Sequence, residues 1–356
     1  MVTIWLSGER PIPSAPRRDE QSRPACRCGF SGLTGDDRMV SACVIPAKAG
    51  IRAVITGLLL VFLAAFPADA AVHTDALGRT VEIPTSPQRI VSLAPNITET
   101  LFGLGLDDEI VGVTTDSVYP EAARSRPKVG GLASLSLERV IALDPDCIIA
   151  TADGNPKEPV LQLARAGFPV YVTNPRDLDG MLAMIVDLGI VTGRRKRAEE
   201  LAAGLRRRIE TVTLATADRV KPRVFFQVAS DPLITVGGGT FHDRLIELAG
   251  GVNIFSLSPV RYPRVNVEMV VAGEPEVIIV ASMGCGQGDT SQLARWKRWP
   301  GIPAVSAGRL HRIDAGIIHQ PSPRIVDGLE VLTDFLHPGW RNRPEGQSNT
   351  EPLKEP

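Results

Sequence analysis

Gly193 to Ala217 reads GRRKRAEELAAGLRRRIETVTLATA, and its spacing predicts one long helix. Ala198, Leu201, Leu205, Ile209 and Val212 recur at steps of three and four, which lines them up as a single apolar stripe. The other faces carry Arg194, Arg195, Lys196, Arg197, Glu199, Glu200, Arg206, Arg207 and Arg208, so water wets most of the helix. Thr192 offers an N-cap, and Pro222 bars any continuation. At about 1.5 Å per residue such a helix spans more than roughly 30 Å, comparable to a small domain. It organises the chain because the sequences on its two sides repeat one another.

Leu135 to Ala150, LSLERVIALDPDCIIA, aligns without a gap on Val265 to Val280, VNVEMVVAGEPEVIIV. Glu138 falls on Glu268, Val140 on Val270 and Pro145 on Pro275. Each copy reads as a short helix, a turn containing proline, and a continuous apolar run suited to a buried parallel strand. Upstream lie RIVSLAPNITETLFGLG and RVFFQVAS…FHDRLIELAG, both strand, loop and helix in order. The pattern predicts an α/β fold of two parallel-sheet lobes joined by one long backbone helix. The expected divisions are a first lobe over 71–176, a helical linker over 177–220 and a second lobe over 221–337. A polar, proline-rich tail over 338–356 is expected to be disordered.

The chain has 356 residues, enough for two sizeable cores, and its formal net charge of −1 argues against a nucleic-acid partner. Residues 51–70 carry a positive flank, an apolar run from Ile55 to Phe66 and Ala68-Asp69-Ala70. That combination is a secretory signal with cleavage before Ala71, and the run is too short to span a bilayer comfortably. The expected location is therefore periplasmic, with no membrane insertion after processing. Residues 1–50 lack a periodic pattern and read as a non-structural extension from an over-extended start. They hold Cys26, Cys28 and Cys43, which leaves Cys147 in a buried strand and Cys285 in a glycine-rich loop. No disulfide is expected between those two.

In the mature chain, Val72–Pro84 reads as a hairpin and Arg89–Leu93 as the first core strand, followed by a helix from near Thr98. Further strands are expected at 110–114, 146–150, 169–173, 223–228, 277–281 and 310–314. Helices are expected at 177–191, 241–249 and 325–336. Ligands of open α/β sheets bind beyond the carboxyl ends of the strands. Asp116, Tyr119, Asn155, Asp231, Tyr262 and His319 fall at such ends, on loops that two facing lobes would turn toward one crevice.

SLAPNITETLFGLG, VGVTTDSVYP, KVGGLASLSLERVIALDPDCIIA, RVNVEMVVAGEPEVIIVA and PSPRIVDGLEVL resemble the periplasmic binding proteins of ABC importers for cobalamin and iron-siderophores. The similarity is greatest to the cobalamin-binding branch and covers about Val72 to His337. It implies a monomer that takes a small-molecule ligand between two lobes and delivers it to a transmembrane permease. It implies no resident cofactor, catalytic residue or protein-bound metal. The transported ligand would be a corrinoid or a ferric chelate. Glu138 and Glu268 match the surface glutamates with which that family docks onto permease arginines. Taken with the strand-end positions, the residues expected on the ligand are Pro95, Asn96, Asp116, Tyr119, Leu132, Asn155, Asp231, Tyr262 and His319. Tyr262 stands where the cobalamin-binding relatives carry an aromatic residue. Leu132 replaces their tryptophan, and Gly316 falls where they carry a late acidic residue. Cobalamin, another corrinoid, a ferric siderophore and haem all remain open.

Three other readings follow from single features. GGGT before Phe241 could cradle phosphate at a helix N-terminus, but the lysine of a P-loop is absent. His242 and His319 could help to hold a bare metal, yet the histidines at 73, 242, 311, 319 and 337 form no sequence cluster. Asp116, Asp231 and His319 could serve an enzyme as acid–base groups, although no nucleophile–base spacing accompanies them.

Overall fold

The computed structural model describes residues 69–282 and 291–342. The extension, the signal segment up to residue 68, Cys285 and residues 343–356 lie outside the described residues. β1 (Ala70–Thr74) and β2 (Thr80–Pro84) form the expected antiparallel hairpin, with Ala70 opposite Pro84. The first lobe then runs β3 (Ile90–Ser92), α1 (Pro95–Gly103), β4 (Ile110–Val113), α2 (Glu121–Arg124), β5 (Gly130–Gly131), β6 (Ser134–Leu135), α3 (Leu137–Ala142), β7 (Cys147–Thr151), α4 (Lys157–Arg165) and β8 (Val170–Thr173). Helices α5 (Leu178–Val191) and α6 (Arg195–Thr216) lead to the second lobe. There the order is β9 (Arg223–Ser230), β10 (Leu233–Thr235), α7 (Phe241–Leu248), β11 (Val252–Asn253), α8 (Val267–Ala272), β12 (Val277–Ser282), α9 (Ser291–Trp296), α10 (Pro303–Ser306), β13 (Leu310–Asp314) and α11 (Ile325–Leu336).

The first sheet is parallel throughout in the order β4-β3-β7-β8. In the second, β9, β12 and β13 are parallel neighbours, while β11 (parallel) and β10 (antiparallel) share the outer edge of β9. All five residues of β7 are buried, as are Val277 to Ala281 of β12, which is why both read as unbroken apolar runs. The lobes repeat each other in detail. Asp144 (φ 44°) and Glu274 (φ 40°) each hold a left-handed conformation immediately before Pro145 and Pro275. In the next position, Asp146 accepts hydrogen bonds from the backbone N–H groups of Gln88 and Arg89, and Glu276 accepts one from Arg223. The same carboxylate thus clamps the start of the central strand in both lobes.

The long helix is α6, and it belongs to both cores. Ala198, Ala202, Leu205, Val212 and Thr216 are buried along it, with Leu201 and Ile209 half-buried beside them. Thr216 Oγ1 donates to the Leu248 carbonyl, and Arg208 pairs with Asp327 and Glu330 of α11 at 2.7 and 2.8 Å, tying the helix to the second lobe. Three boundaries differ from the sequence reading. Thr192 does not cap α6: its hydroxyl donates to Leu188 and closes α5, and Gly193 makes the turn at φ 71°. α1 begins at Pro95 rather than near Thr98, because a proline at the first helical position needs no N–H partner. Ordered structure passes beyond 337, since Trp340 is 5% exposed and donates to Asp334 at 2.7 Å. A single indole outweighs the surrounding polar composition there.

Two glycines of this helical pair should respond oppositely to a methyl group. Gly189 of α5 abuts Ala198, and a Cβ there would overlap the alanine methyl, so Gly189→Ala is expected to lower stability by about 1–3 kcal/mol. Gly204, inside α6, has only the tip of Arg207 near such a Cβ, so Gly204→Ala should raise stability by about 0.5–1 kcal/mol. Urea unfolding of the two variants checks both signs.

Candidate functional site: the crevice between the lobes

The first-lobe wall is built on buried hydroxyls. Ser92, at the end of β3, meets Thr98 Oγ1 at 2.8 Å, and Ser117 meets both Thr98 and Thr114 at 2.9 Å. This chain anchors the loop after β4 from beneath, and Lys128 Nζ donates to the carbonyls of Ser117 and Ala123. Exposed on that loop stand Val118 and Tyr119, just before a cis Tyr119–Pro120 bond. Asp116 Oδ2 accepts the backbone N–H of Leu132 at 2.6 Å, and Asn155 Nδ2 donates to the Leu132 carbonyl at 3.0 Å. Three residues expected on the ligand therefore form one cluster. Within it, Asn155 is buried and also bonds the backbone of Thr151 and Leu93.

Asn96 is buried likewise, with its amide 4.0 Å from Met184 Sδ, and Pro95 serves as the first residue of α1. Asp231 is exposed in the β9–β10 turn, before a cis bond to Pro232.

Two features escaped the sequence reading. Glu99 is not a solvated first-turn residue of its helix: its side chain is 3% exposed, and both oxygens are bound by Arg324 of the second lobe at 2.6 and 3.0 Å. Gln320 donates to the same carboxylate at 2.8 Å. The Arg324 guanidinium also lies 3.6 Å from the Tyr119 ring centroid, a cation–π contact. One arginine thus joins the lobes and backs the first-lobe tyrosine.

The second feature lies on the opposite wall. His242 Nε2 and His319 Nδ1 are 2.7 Å apart, so the rings share one proton. Phe226 packs near both rings, and Tyr262 stands 6.2 Å from His242 in an edge-on arrangement. Burial, helped by the neighbouring imidazole, pushes the pKa of His242 down to about 3. Burial pulls His319 to about 4 against the attraction of Asp314. Tyr262 is 42% exposed; burial of its inner part raises its pKa, Arg261 works against the rise, and Asp153 of the first lobe adds to it. No group of three or more metal-ligating side chains occurs among the described residues.

A separate cavity of about 800 Å³ lies where α6 meets α7, closed on its third side by the Arg176–Asp179 segment. Gly239 and Thr240 of the GGGT stretch line it. Phosphate has no cradle there, because Thr240 caps α7 with its own hydroxyl and Asp243 takes the Gly239 N–H. The cavity contains none of the residues expected on the ligand.

Two α/β lobes, one shared helix and a polar, aromatic crevice define a helix-bridged solute-binding protein. The chain belongs to the family described as Periplasmic binding protein, whose profile matches residues 90–316. It is 33% identical over 275 residues to the vitamin B12-binding protein of Yersinia pestis (strain Pestoides F), covering 77% of this chain and 90% of that one. The crystal structure of the periplasmic vitamin B12 binding protein BtuF of Vibrio cholerae superposes with a TM-score of 0.63 at 30% identity, covering 70% and 96% of the two chains. The periplasmic heme-binding protein RhuT from Roseiflexus sp. RS-1, in apo form, gives 0.65 at 29%, covering 71% and 99%. No helix among the described residues is long and apolar enough to cross a membrane.

The Glu99–Arg324 bond yields a stability prediction. Arg324→Met strands a buried carboxylate and should cost about 3–5 kcal/mol, whereas Glu99→Gln with Arg324→Met should recover a large part of it. Chemical denaturation of the single and double variants measures the difference.

Proposed function

We propose that this chain captures a corrinoid in the crevice and delivers it to the permease of an ABC importer, acting as a carrier rather than an enzyme. The observation that carries this reading is the pairing of exposed aromatic surface on the two lobes: Tyr119 at 45% exposure and Tyr262 at 42%. Flat, bulky ligands are held by such faces, with sparse polar groups setting orientation. The vitamin B12-binding relatives favour a corrinoid. The heme-binding neighbour, together with the phenol and imidazole groups of this crevice, keeps haem as the second reading. Export would come with cleavage before Ala71, which would leave residues 71–74 of the first strand on the mature chain.

Glu138 and Glu268 are the proposed permease contacts. Both are exposed in the first turn of equivalent helices, α3 and α8, whose N-caps are Ser136 and Asn266. Glu138 takes a hydrogen bond from Ser136 Oγ at 3.1 Å and otherwise faces solvent. Ile141 and Val271, matching residues on the same helices, are exposed at 44% and 37% and add apolar area. Two anchors on separate lobes fix the orientation of a complex, which one anchor leaves free.

A thermal-shift panel of cobalamin, cobinamide, haem and ferric siderophores tests the reading. A true ligand at a hundredfold excess over Kd should add about 2.7 kcal/mol of apparent stability. Stabilisation by siderophores alone would replace the corrinoid assignment. Tyr262→Ala should weaken the stabilising ligand several-fold in calorimetry without loss of fold. Replacing Glu138 and Glu268 together by lysine should leave ligand affinity unchanged and abolish uptake by cells, because two repulsions replace two attractions. Normal uptake would remove both residues from the interface.

A further inference from the structure

His242 and His319 meet nitrogen to nitrogen, and the burial of one ring decides which nitrogens carry protons. Burial keeps both rings neutral at pH 7, so each holds a single N–H. His242 Nε2 and His319 Nδ1 are 2.7 Å apart, so one of them donates to the other. If His319 Nδ1 were the donor, the only proton of His242 would sit on its Nδ1, which is buried and has no hydrogen-bond partner. Orphaned buried N–H groups are rarer in proteins than under-satisfied acceptors. That arrangement would also put both rings in the Nδ1–H form, the less stable tautomer of a free histidine side chain. With the proton on His242 Nε2, His242 donates and its Nδ1 is left as a bare lone pair. His319 then carries its own proton on Nε2.

We propose that His319 presents a fixed Nε2–H donor to the crevice and selects an oxygen acceptor at the edge of a flat ligand, with His242 as the positioning residue. This rests on the reading of the crevice as a corrinoid or haem site and deepens it by naming a polar contact. His319 is exposed, and its Nδ1 is turned to the buried ring, so Nε2 points away from that ring. No hydrogen bond to Nε2 occurs among the described residues. The polar groups around the junction of the lobes are already engaged. Gln320 and Arg324 hold Glu99 and the Gly316 carbonyl, while Asp116 and Asn155 hold the backbone of Leu132. His319 is thus an uncommitted donor on the wall that carries Tyr262, and sparse polar groups of this kind orient a ligand against apolar faces. The matching chemistry is a carbonyl or carboxylate oxygen, which a corrinoid offers in its side-chain amides and haem in its propionates. A ring nitrogen that carries a proton has no lone pair for a metal, so the contact falls on the periphery of the chelate and not on its centre.

Two measurements on the purified protein test this. Long-range proton–nitrogen NMR correlations of isotope-labelled histidines read the tautomers without any ligand, and both rings should be Nε2–H. A proton on His319 Nδ1 would overturn the proposal. Binding is then measured with dicyanocobinamide, whose axial positions are filled and whose acceptors are amides, and with ferric haem, whose acceptors are carboxylates. His319→Leu should weaken the probe that the wild type binds by about tenfold, the effect of one lost hydrogen bond. His319→Gln, which returns an N–H near the same point, should recover most of that loss. A loss seen with dicyanocobinamide assigns the acceptor to an amide, and one seen with haem assigns it to a carboxylate. The visible bands of bound haem should be the same in the wild type and His319→Leu. Equal binding by those two proteins, or a change of the haem bands between them, would overturn the contact and leave the crevice reading intact. Failure of the wild type to bind either probe would remove the corrinoid and haem readings together with the contact.

Discussion

A carboxylate with 3% of its side chain exposed requires a cation, and the Glu99 cation comes from the other lobe. That single demand links much of the crevice. It draws Arg324 onto the first lobe, and with it the turn from Gly316 to Arg324, because Arg324 and Gln320 both also hold the Gly316 carbonyl. Arg324 in turn lies on Tyr119, whose loop is fixed below by the hydroxyls of Thr98, Ser117 and Thr114. Thr98 and Glu99 are neighbours on α1, so one turn of helix sets both the floor of the loop and the contact between lobes. The resulting crevice has a rigid seam on one side and exposed aromatic faces beyond it.

This arrangement suits capture of a large, preformed ligand. The paired imidazoles are held neutral by burial, burial holds Tyr262 away from ionisation, and polar groups such as Asn155 and Asp116 are engaged with the backbone. Groups spent on holding loops cannot move protons, but they keep a binding surface in shape without a ligand present. The duplication of the lobes carries the same economy to the outer surface, where α3 and α8 present matched glutamates from matched N-caps.

Much of the architecture was legible in the sequence because it rests on local periodicity. The stripe from Ala198 to Val212 and the apolar runs at Cys147 and Val277 declare themselves within a few residues. So does the gapless alignment of Glu138 on Glu268. The crevice was legible only in part. Glu99 and Arg324 are 225 positions apart, and His242 and His319 are 77 apart, so neither pair leaves a pattern that a local reading can detect. An acidic residue near a helix start is commonplace, so Glu99 carries no signal of its own, and Pro95 rather than Thr98 marks where that helix begins. Asn155 shows what a strand-end position leaves unsaid: its buried amide satisfies three backbone groups, of Thr151, Leu93 and Leu132.

The helix between the lobes also determines how the protein comes apart. Ala198 packs against α5, Val212 and Thr216 lie against the second lobe, and buried side chains of both lobes join those of α6 in one continuous apolar core. Neither lobe can melt without exposing a face of a helix that the other lobe also needs. Two sheets that look like separate domains are therefore coupled into a single cooperative unit, unlike lobes joined by an exposed linker. A ligand resting on only a few loops would then lend its binding energy to the whole chain, and an injury to either sheet would be felt in both.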